Sequence, residues 1–320
     1  MTQTTSLPMT IRNSVILACV FAAASSPQSG TAFRSNVELV TIPCTVIDAE
    51  GVEVRDLARD EFRIYDNGVR RIVENLWIDS DLPLTLGVVI DASESQGELL
   101  AEHRQTTGEL LERILRPGDR AFVVSVDEDV RLWADLTGSV AALRRQIAGA
   151  PGDLFGQPCA KRASHAPGVA PTSVCGGSPL WNAVYEAGRK LRPLTGNKAL
   201  LMLTDGFDTG STHAVKEAIE EVEWAGTAVY AIQYQSGFGG RYAPDLYSLT
   251  GETGGAWFSP PGGDYGAILA RMEADLRRHY VVGFRPENLS GGKARHDVRV
   301  EVTRPGLSVR ARKTYFRTPR

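Results

Sequence analysis

Leu84–Ser95 reads LTLGVVIDASES, and its first seven residues decide the fold. Leu84–Ile90 is apolar without polar alternation, as a parallel strand buried on both faces requires. The run stops at Asp91, and Asp91-Ala92-Ser93-Glu94-Ser95 follows as a polar loop. Beyond it the texture alternates. Helix Leu99–Leu115 ends at Arg116-Pro117-Gly118-Asp119, followed by strand Ala121–Val126, a short strand near Val130–Trp133 and helix Ser139–Ile147. Helix Leu180–Leu191, strand Ala199–Leu203, helix Ala214–Trp224 and strand Ala228–Ile232 come next. Helix Pro244–Thr250, a short strand at Ala256–Ser259 and helix Tyr265–Leu276 close the series. Strands alternating with helices over residues 83–276 predict an α/β domain with a doubly wound, mostly parallel sheet.

Both flanks read as β. In residues 33–82, Val37–Ile47 is rich in β-branched residues, and Leu57–Phe62 has room for one helical turn. Arg63–Tyr65 and Val69–Leu76 flank Asp66-Asn67-Gly68, a strong hairpin signal. In residues 277–320, Tyr280–Phe284, Asp297–Thr303 and Leu307–Phe316 are strand candidates. Each flank is too small to bury a core alone, so the two are expected to share one small β-sandwich. Arg310 and Arg312 alternate with Val309 and Ala311, which reads as the wet face of a strand.

The 320 residues are 42% apolar and 23% charged with a net charge of −3, which excludes a disordered chain and any global attraction to nucleic acid. Gly (32) and Pro (17) run above their usual share, pointing to many turns. Arg12 is the only charge in residues 1–32, and Ser14–Ala24 (SVILACVFAAA) with the small residues after it has the pattern of a secretory signal. The run is shorter than the ~20 residues a spanning helix needs. Export to the periplasm, cell surface or medium is expected, with the membrane touched only through an uncleaved signal. Lipidation at Cys19 is disfavoured by Leu17.

Ligands of doubly wound sheets lie beyond the carboxyl ends of the strands. Asp91, Ser93 and Ser95 fall there after one strand, and Asp205 falls there after Leu200–Thr204. Ser178, after Gly176-Gly177, opens a helix nearby. Two carboxylates and three hydroxyls form an all-oxygen set, which selects a hard cation over zinc. Magnesium is the first expectation, with manganese or calcium as alternatives. No G-x-S-x-G or phosphate-binding G-x-x-x-x-G-K-[ST] is present, and the five histidines are scattered, so no nucleotide or nucleophile chemistry is predicted.

Asp91-x-Ser93-x-Ser95, Ser178, and Asp205 within Leu203-Thr204-Asp205-Gly206 resemble the metal-ion-dependent adhesion site (MIDAS) of von Willebrand factor type A (VWA) domains. LARDEFRIYDNG (57–68), YVVGF (280–284) and RPGLSVRARKTYF (304–316) resemble the bacterial exported VWFA-related family. The resemblance implies that Ser93, Ser95 and Ser178 ligate the metal directly, with Asp91 and Asp205 acting through water. Ser178 stands where the family usually has Thr, and Glu94 where Gly is common. Glu94 and Asp208 are candidates for the rim.

The expected function is non-enzymatic, adhesion-type protein binding, in which the metal accepts a carboxylate of a protein partner. An alternative is a structural component of an extracytoplasmic complex with a vestigial site. A lesser one is a metal-assisted hydrolase with Glu94 or Asp208 as base. Cys159 and Cys175 are expected to pair, closing a loop of about 15 residues worth roughly 3 kcal/mol. Cys44 reads as a small buried strand residue.

Overall fold

The structure is a computed structural model that describes residues 39–79, 82–93, 100–150, 178–234, 243–259, 265–277, 279–286 and 295–317. The expected signal at 1–32, Glu94, Ser95, Cys159 and Cys175 lie outside the described residues.

The chain begins with β1 (Val40–Ile47), a 3-10 turn (Arg59–Glu61), β2 (Phe62–Asp66), β3 (Val69–Arg71) and β4 (Val73–Asp79). The central domain runs β5 (Leu84–Asp91), α1 (Leu100–Ile114), β6 (Arg120–Val126), β7 (Val130–Thr137), α2 (Val140–Gly149) and α3 (Leu180–Leu191). It continues with β8 (Asn197–Thr204), α4 (Val215–Trp224), β9 (Ala228–Gln233), α5 (Pro244–Thr253), β10 (Trp257–Phe258) and α6 (Tyr265–Arg277). Then come β11 (His279–Phe284), β12 (Arg295–Val302), β13 (Ser308–Ala311) and β14 (Thr314–Phe316).

The central sheet has the order β10-β9-β8-β5-β6-β7. Every pairing is parallel except β6 with β7. Residues 127–129 are all that join those two strands, far too few for a crossover, so β7 must return antiparallel. All eight residues of β5 are buried, which explains its unbroken apolar run. Leu110, Leu143 and Met272 cover one face of the sheet, from α1, α2 and α6. Val184, Val222 and Leu246 cover the other, from α3, α4 and α5. From β5 the chain winds outward to β6 and, later, the opposite way through β8, β9 and β10. The reversal lies between β5 and β8, and loops leaving the carboxyl ends there diverge to leave a crevice.

A buried node ties the helical layer to the other edge of this sheet. Arg277 bonds the Asp119 carboxylate, and its Nη2 donates to the Ile114 carbonyl at 2.6 Å. Asp119 also accepts from the Leu84 N–H at 2.7 Å and the Arg116 N–H at 2.6 Å.

The flanking strands form two four-stranded antiparallel sheets, β13-β1-β11-β4 and β14-β12-β2-β3. Each takes strands from both ends of the chain. Ile42, Phe62, Ile64, Val282, Phe284 and Val300 fill the space between them with Cys44, whose thiol burial pushes up to about 12. The hairpin at Asn67-Gly68 has positive φ at both residues, 48° and 80°, as a two-residue type I′ turn requires.

Two expected strands are in fact pairs. Val69–Leu76 divides at the exposed Ile72, with β3 in one sheet and β4 in the other. The stretch 307–316 divides at Arg312-Lys313 in the same way. Neither corner carries a Gly or Pro, so no turn signal in the sequence marks the change of sheet.

Arg310 and Arg312 are not on a wet face. Arg310 Nη2 bonds both oxygens of the buried Asp275, at 2.6 and 2.7 Å, and Arg312 Nη2 donates to the Thr41 carbonyl at 2.6 Å. This part of the chain packs against the amino-terminal edge of the central sheet. Thr253 bridges to Arg312, and the turn after it comes so close that a Cβ on Gly254 would lie 2.5 Å from the Arg312 nitrogen.

Candidate functional site

Asp91 is the last residue of β5 and has no solvent exposure. The Ala92 N–H still reaches across to the Val126 carbonyl at 2.7 Å. The chain then turns, because Asp91 Oδ1 accepts the Ser93 N–H at 3.0 Å in an Asx turn. That turn keeps Ser93 beside the carboxylate, which its side chain also hydrogen-bonds. On the neighbouring strand, Thr204 lies one step beyond the Ile90–Leu203 pair, and its hydroxyl donates to Asp91 Oδ2 at 2.7 Å. Ser178 reaches the other oxygen, with its Oγ 3.4 Å from Asp91 Oδ1.

The second acidic loop is held as firmly. Asp205 Oδ1 accepts the Phe207 N–H at 3.1 Å, and Gln233 Nε2 donates to the Asp205 carbonyl at 2.9 Å. Gly206 has φ 86°, and a Cβ there would lie 2.6 Å from that of Ala243. Thr209 ties this loop to Ser178: its hydroxyl accepts the Ser178 N–H at 2.8 Å and its own N–H donates to the Ser178 carbonyl at 2.9 Å. The fold thus brings Asp91, Ser93, Ser178 and Asp205 together at the strand reversal.

Asp208 has a structural engagement. Its Oδ1 accepts the Trp181 N–H at 3.2 Å and the Ser211 hydroxyl, so it caps α3, whose own N-cap residue, Pro179, offers no acceptor. Sequence reasoning missed Thr204, Thr209 and His103. Thr204 left a signal: it is the polar end of the apolar run Ala199–Leu203, directly before Asp205.

Neither a protein-family model nor a curated protein sequence matches the chain. Solved structures do. Von Willebrand factor type A from Catenulispora acidiphila is 13% identical, covering 89% of this chain and 75% of that one at a TM-score of 0.46. The conserved hypothetical protein BatB from Bacteroides thetaiotaomicron is 12% identical over 60% of this chain and 97% of that one, at 0.44. Proximal thread matrix protein 1 from the mussel byssus, solved with a zinc-occupied MIDAS motif, is 14% identical over 64% and 48% respectively, at 0.45. The structural neighbours include VWA-domain proteins.

What the site can hold follows from its own electrostatics. Burial pushes the Asp91 carboxyl up to about 6, against hydrogen bonds from Ser93 and Thr204, and the Asp205 charge pushes it the same way. A buried carboxylate whose charge is opposed by burial and by a second acid, beside hydroxyl oxygens, is a set a divalent cation would relieve. Among the described residues no three His, Cys, Asp or Glu side chains cluster as a metal site, so hydroxyls must complete any coordination here. Thr204 orients Asp91 without being one of the expected ligands. Thr204→Val should therefore weaken metal binding about 10-fold, the low end for lost support of a ligand. Titration calorimetry with Mn²⁺ checks this, and unchanged affinity would contradict it.

His103 lies beneath the site on α1, fully buried, with Nδ1 3.3 Å from the Asp91 carbonyl and its ring centroid 3.9 Å from that of Tyr234. Burial pulls it down to about 4 from 6.5. Its contribution to stability is present above pH 6.5 and is lost as the pH falls toward 4. Asp91, raised from 3.8 to about 6, does the reverse: its contribution is full below pH 3.8 and is lost as the pH rises through 6. At 1.36 kcal/mol per unit each is worth about 3 kcal/mol, so in metal-free protein the two offset. Asp91→Asn should unmask His103. The stability of wild type relative to the variant should rise by about 3 kcal/mol between pH 7 and pH 4. Urea melts in EDTA measure this, and parallel profiles would contradict it.

Proposed function

We propose that this chain is an exported, non-enzymatic binding module. Asp91, Ser93, Ser95, Ser178 and Asp205 would hold a divalent cation, magnesium in the first instance, that accepts a carboxylate of a protein partner. The observation that carries the reading is Asp91 itself: a buried carboxylate, gripped by the hydroxyls of Thr204 and Ser178 at 2.7 and 3.4 Å, with a second acid beside it. A fold gains nothing from burying such charge without a counter-charge. When bound, the cation supplies an electrophilic point that two carboxylates only just neutralise, leaving it able to take a third. The chain's own residues orient it: Thr204 and Ser93 fix Asp91, and Thr209 fixes Ser178.

Phe207, beside Asp205 and 44% exposed, supplies an apolar contact next to the acid-accepting point. A non-enzymatic role agrees with the capping duty of Asp208, which takes one of the two general-base candidates out of play. Export rests on the signal pattern at 1–32. It is compatible with the described residues, which include no helix long and apolar enough to cross a membrane. The test is a pull-down from extracytoplasmic extract. Partner capture should require Mg²⁺ or Mn²⁺, be abolished by EDTA and be competed by an acidic peptide. Capture that ignores EDTA would overturn the reading.

A further inference from the structure

At the opposite edge of the central sheet, where the strands begin, a small cavity of about 80 Å³, partly open to solvent, separates that edge from the β-sandwich. Lys198 and Arg312 both line it, together with Thr45, Asn197, Tyr230 and His279. Lys198 belongs to the central domain and Arg312 to the carboxyl-terminal flank. Lys198 Nζ donates to the Leu194 carbonyl at 2.9 Å, and Arg312 Nη2 to the Thr41 carbonyl at 2.6 Å. Both partners are neutral, and among the described residues the buried Arg312 Nε has no acceptor. Asp275, the acid on the cavity wall, has both oxygens bound by Arg310. The acids on neighbouring elements are engaged in the same way: Glu252 with Lys313, Glu223 with Arg295 and Glu53 with Arg55.

Among the described residues, therefore, two cations face one cavity whose acid, Asp275, is engaged by Arg310 and not by either of them. Burial pulls Arg312 down to about 10, and burial with the Arg312 charge pulls Lys198 down. Gly226 lies against the Arg312 guanidinium: a Cβ there would be 3.1 Å from Nη1. Two such charges, one of them a planar fork of donors, suit a multiply charged oxygen ligand better than a halide.

We propose that this cavity binds a small tetrahedral oxyanion of the phosphate or sulfate class, held between Lys198 and Arg312. Such a ligand would bridge the central domain and the sandwich. It is independent of the metal site, since Lys198 and Thr204 are at opposite ends of β8, about 20 Å apart at ~3.3 Å per residue.

The experiment is calorimetric titration of the purified chain with inorganic phosphate and with sulfate, in EDTA and at fixed ionic strength, paired with thermal melts. Saturable binding is expected, weakened at least about tenfold in Lys198→Gln, because the surviving cation keeps only its own charge-assisted bonds. Asp91→Ala should bind phosphate like wild type, which separates this site from the metal reading. Phosphate should raise the melting temperature of wild type more than that of Lys198→Gln. Arg312→Gln is a supporting variant only, because its guanidinium also bonds Thr41. Absence of saturable heat at millimolar phosphate, or equal stabilisation of wild type and Lys198→Gln, would overturn the proposal.

Discussion

Asp91→Ala should abolish metal binding, and with it metal-dependent capture of a partner, while the chain stays folded. The expected loss of affinity is at least about 100-fold, the upper end for removal of a group that supports coordination. Folding should survive because the groups around Asp91 have other anchors. The Thr204 hydroxyl still accepts the Gly206 N–H at 3.0 Å, and Ser178 keeps its backbone bridge to Thr209. At pH 7 the variant also sheds a buried charge, offsetting the cavity it leaves. Asp91→Asn keeps the shape and should lose metal as completely. Calorimetry with Mn²⁺ and circular dichroism on the same samples decide the matter. A folded Asp91→Ala protein with wild-type affinity would contradict the assignment.

Arg277→Met should be the most destabilising single change in the central domain's helical layer. Arg277 and Asp119 are 4% and 2% exposed, and the pair joins the end of α6 to the start of β6. Removing the guanidinium leaves Asp119 charged and buried, with only the Leu84 and Arg116 N–H groups as donors. Breaking one side of a buried pair costs about 3–5 kcal/mol. At about 2–4 °C per kcal/mol for a domain of this size, the melting temperature should fall by about 10 °C. Arg277→Met with Asp119→Asn should recover much of the loss, because the stranded charge goes with its partner. Urea melts of the three variants test this. A single-variant loss below about 1 kcal/mol would show that Asp119 is satisfied without Arg277.

The central domain was legible because its strands are buried on both faces, as Leu84–Ile90 shows, and because each helix carries an apolar stripe. The Asp66-Asn67-Gly68 turn was legible for a different reason: its backbone admits few residues. Less visible was where the sandwich strands change sheets, at Ile72 and at Arg312-Lys313, since no Gly or Pro marks either corner. The misreading of Arg310 and Arg312 has a related cause. Alternation shows that two side chains share a face of a strand, but not whether that face meets water or another domain.

At the site, Asp91, Ser93 and Asp205 announced themselves by their position after strands, and Ser178 by following Gly176-Gly177 at the opening of a helix. Thr204 and His103 did not, because a hydroxyl inside an apolar run and a histidine on a helix are ordinary residues until the fold brings them to Asp91. The cavity between Lys198 and Arg312 was equally hidden. Its two cations are 114 positions apart in sequence and meet only through packing.

The central claim is that the crevice between β5 and β8 holds a divalent cation on oxygen ligands. Anomalous diffraction from crystals grown with Mn²⁺ addresses it most directly. The account predicts one strong manganese peak bonded to the hydroxyl oxygens of Ser93 and Ser178, with Asp91 and Asp205 around it. A crystal saturated with Mn²⁺ that shows no peak between these residues, or a peak held elsewhere, would contradict it.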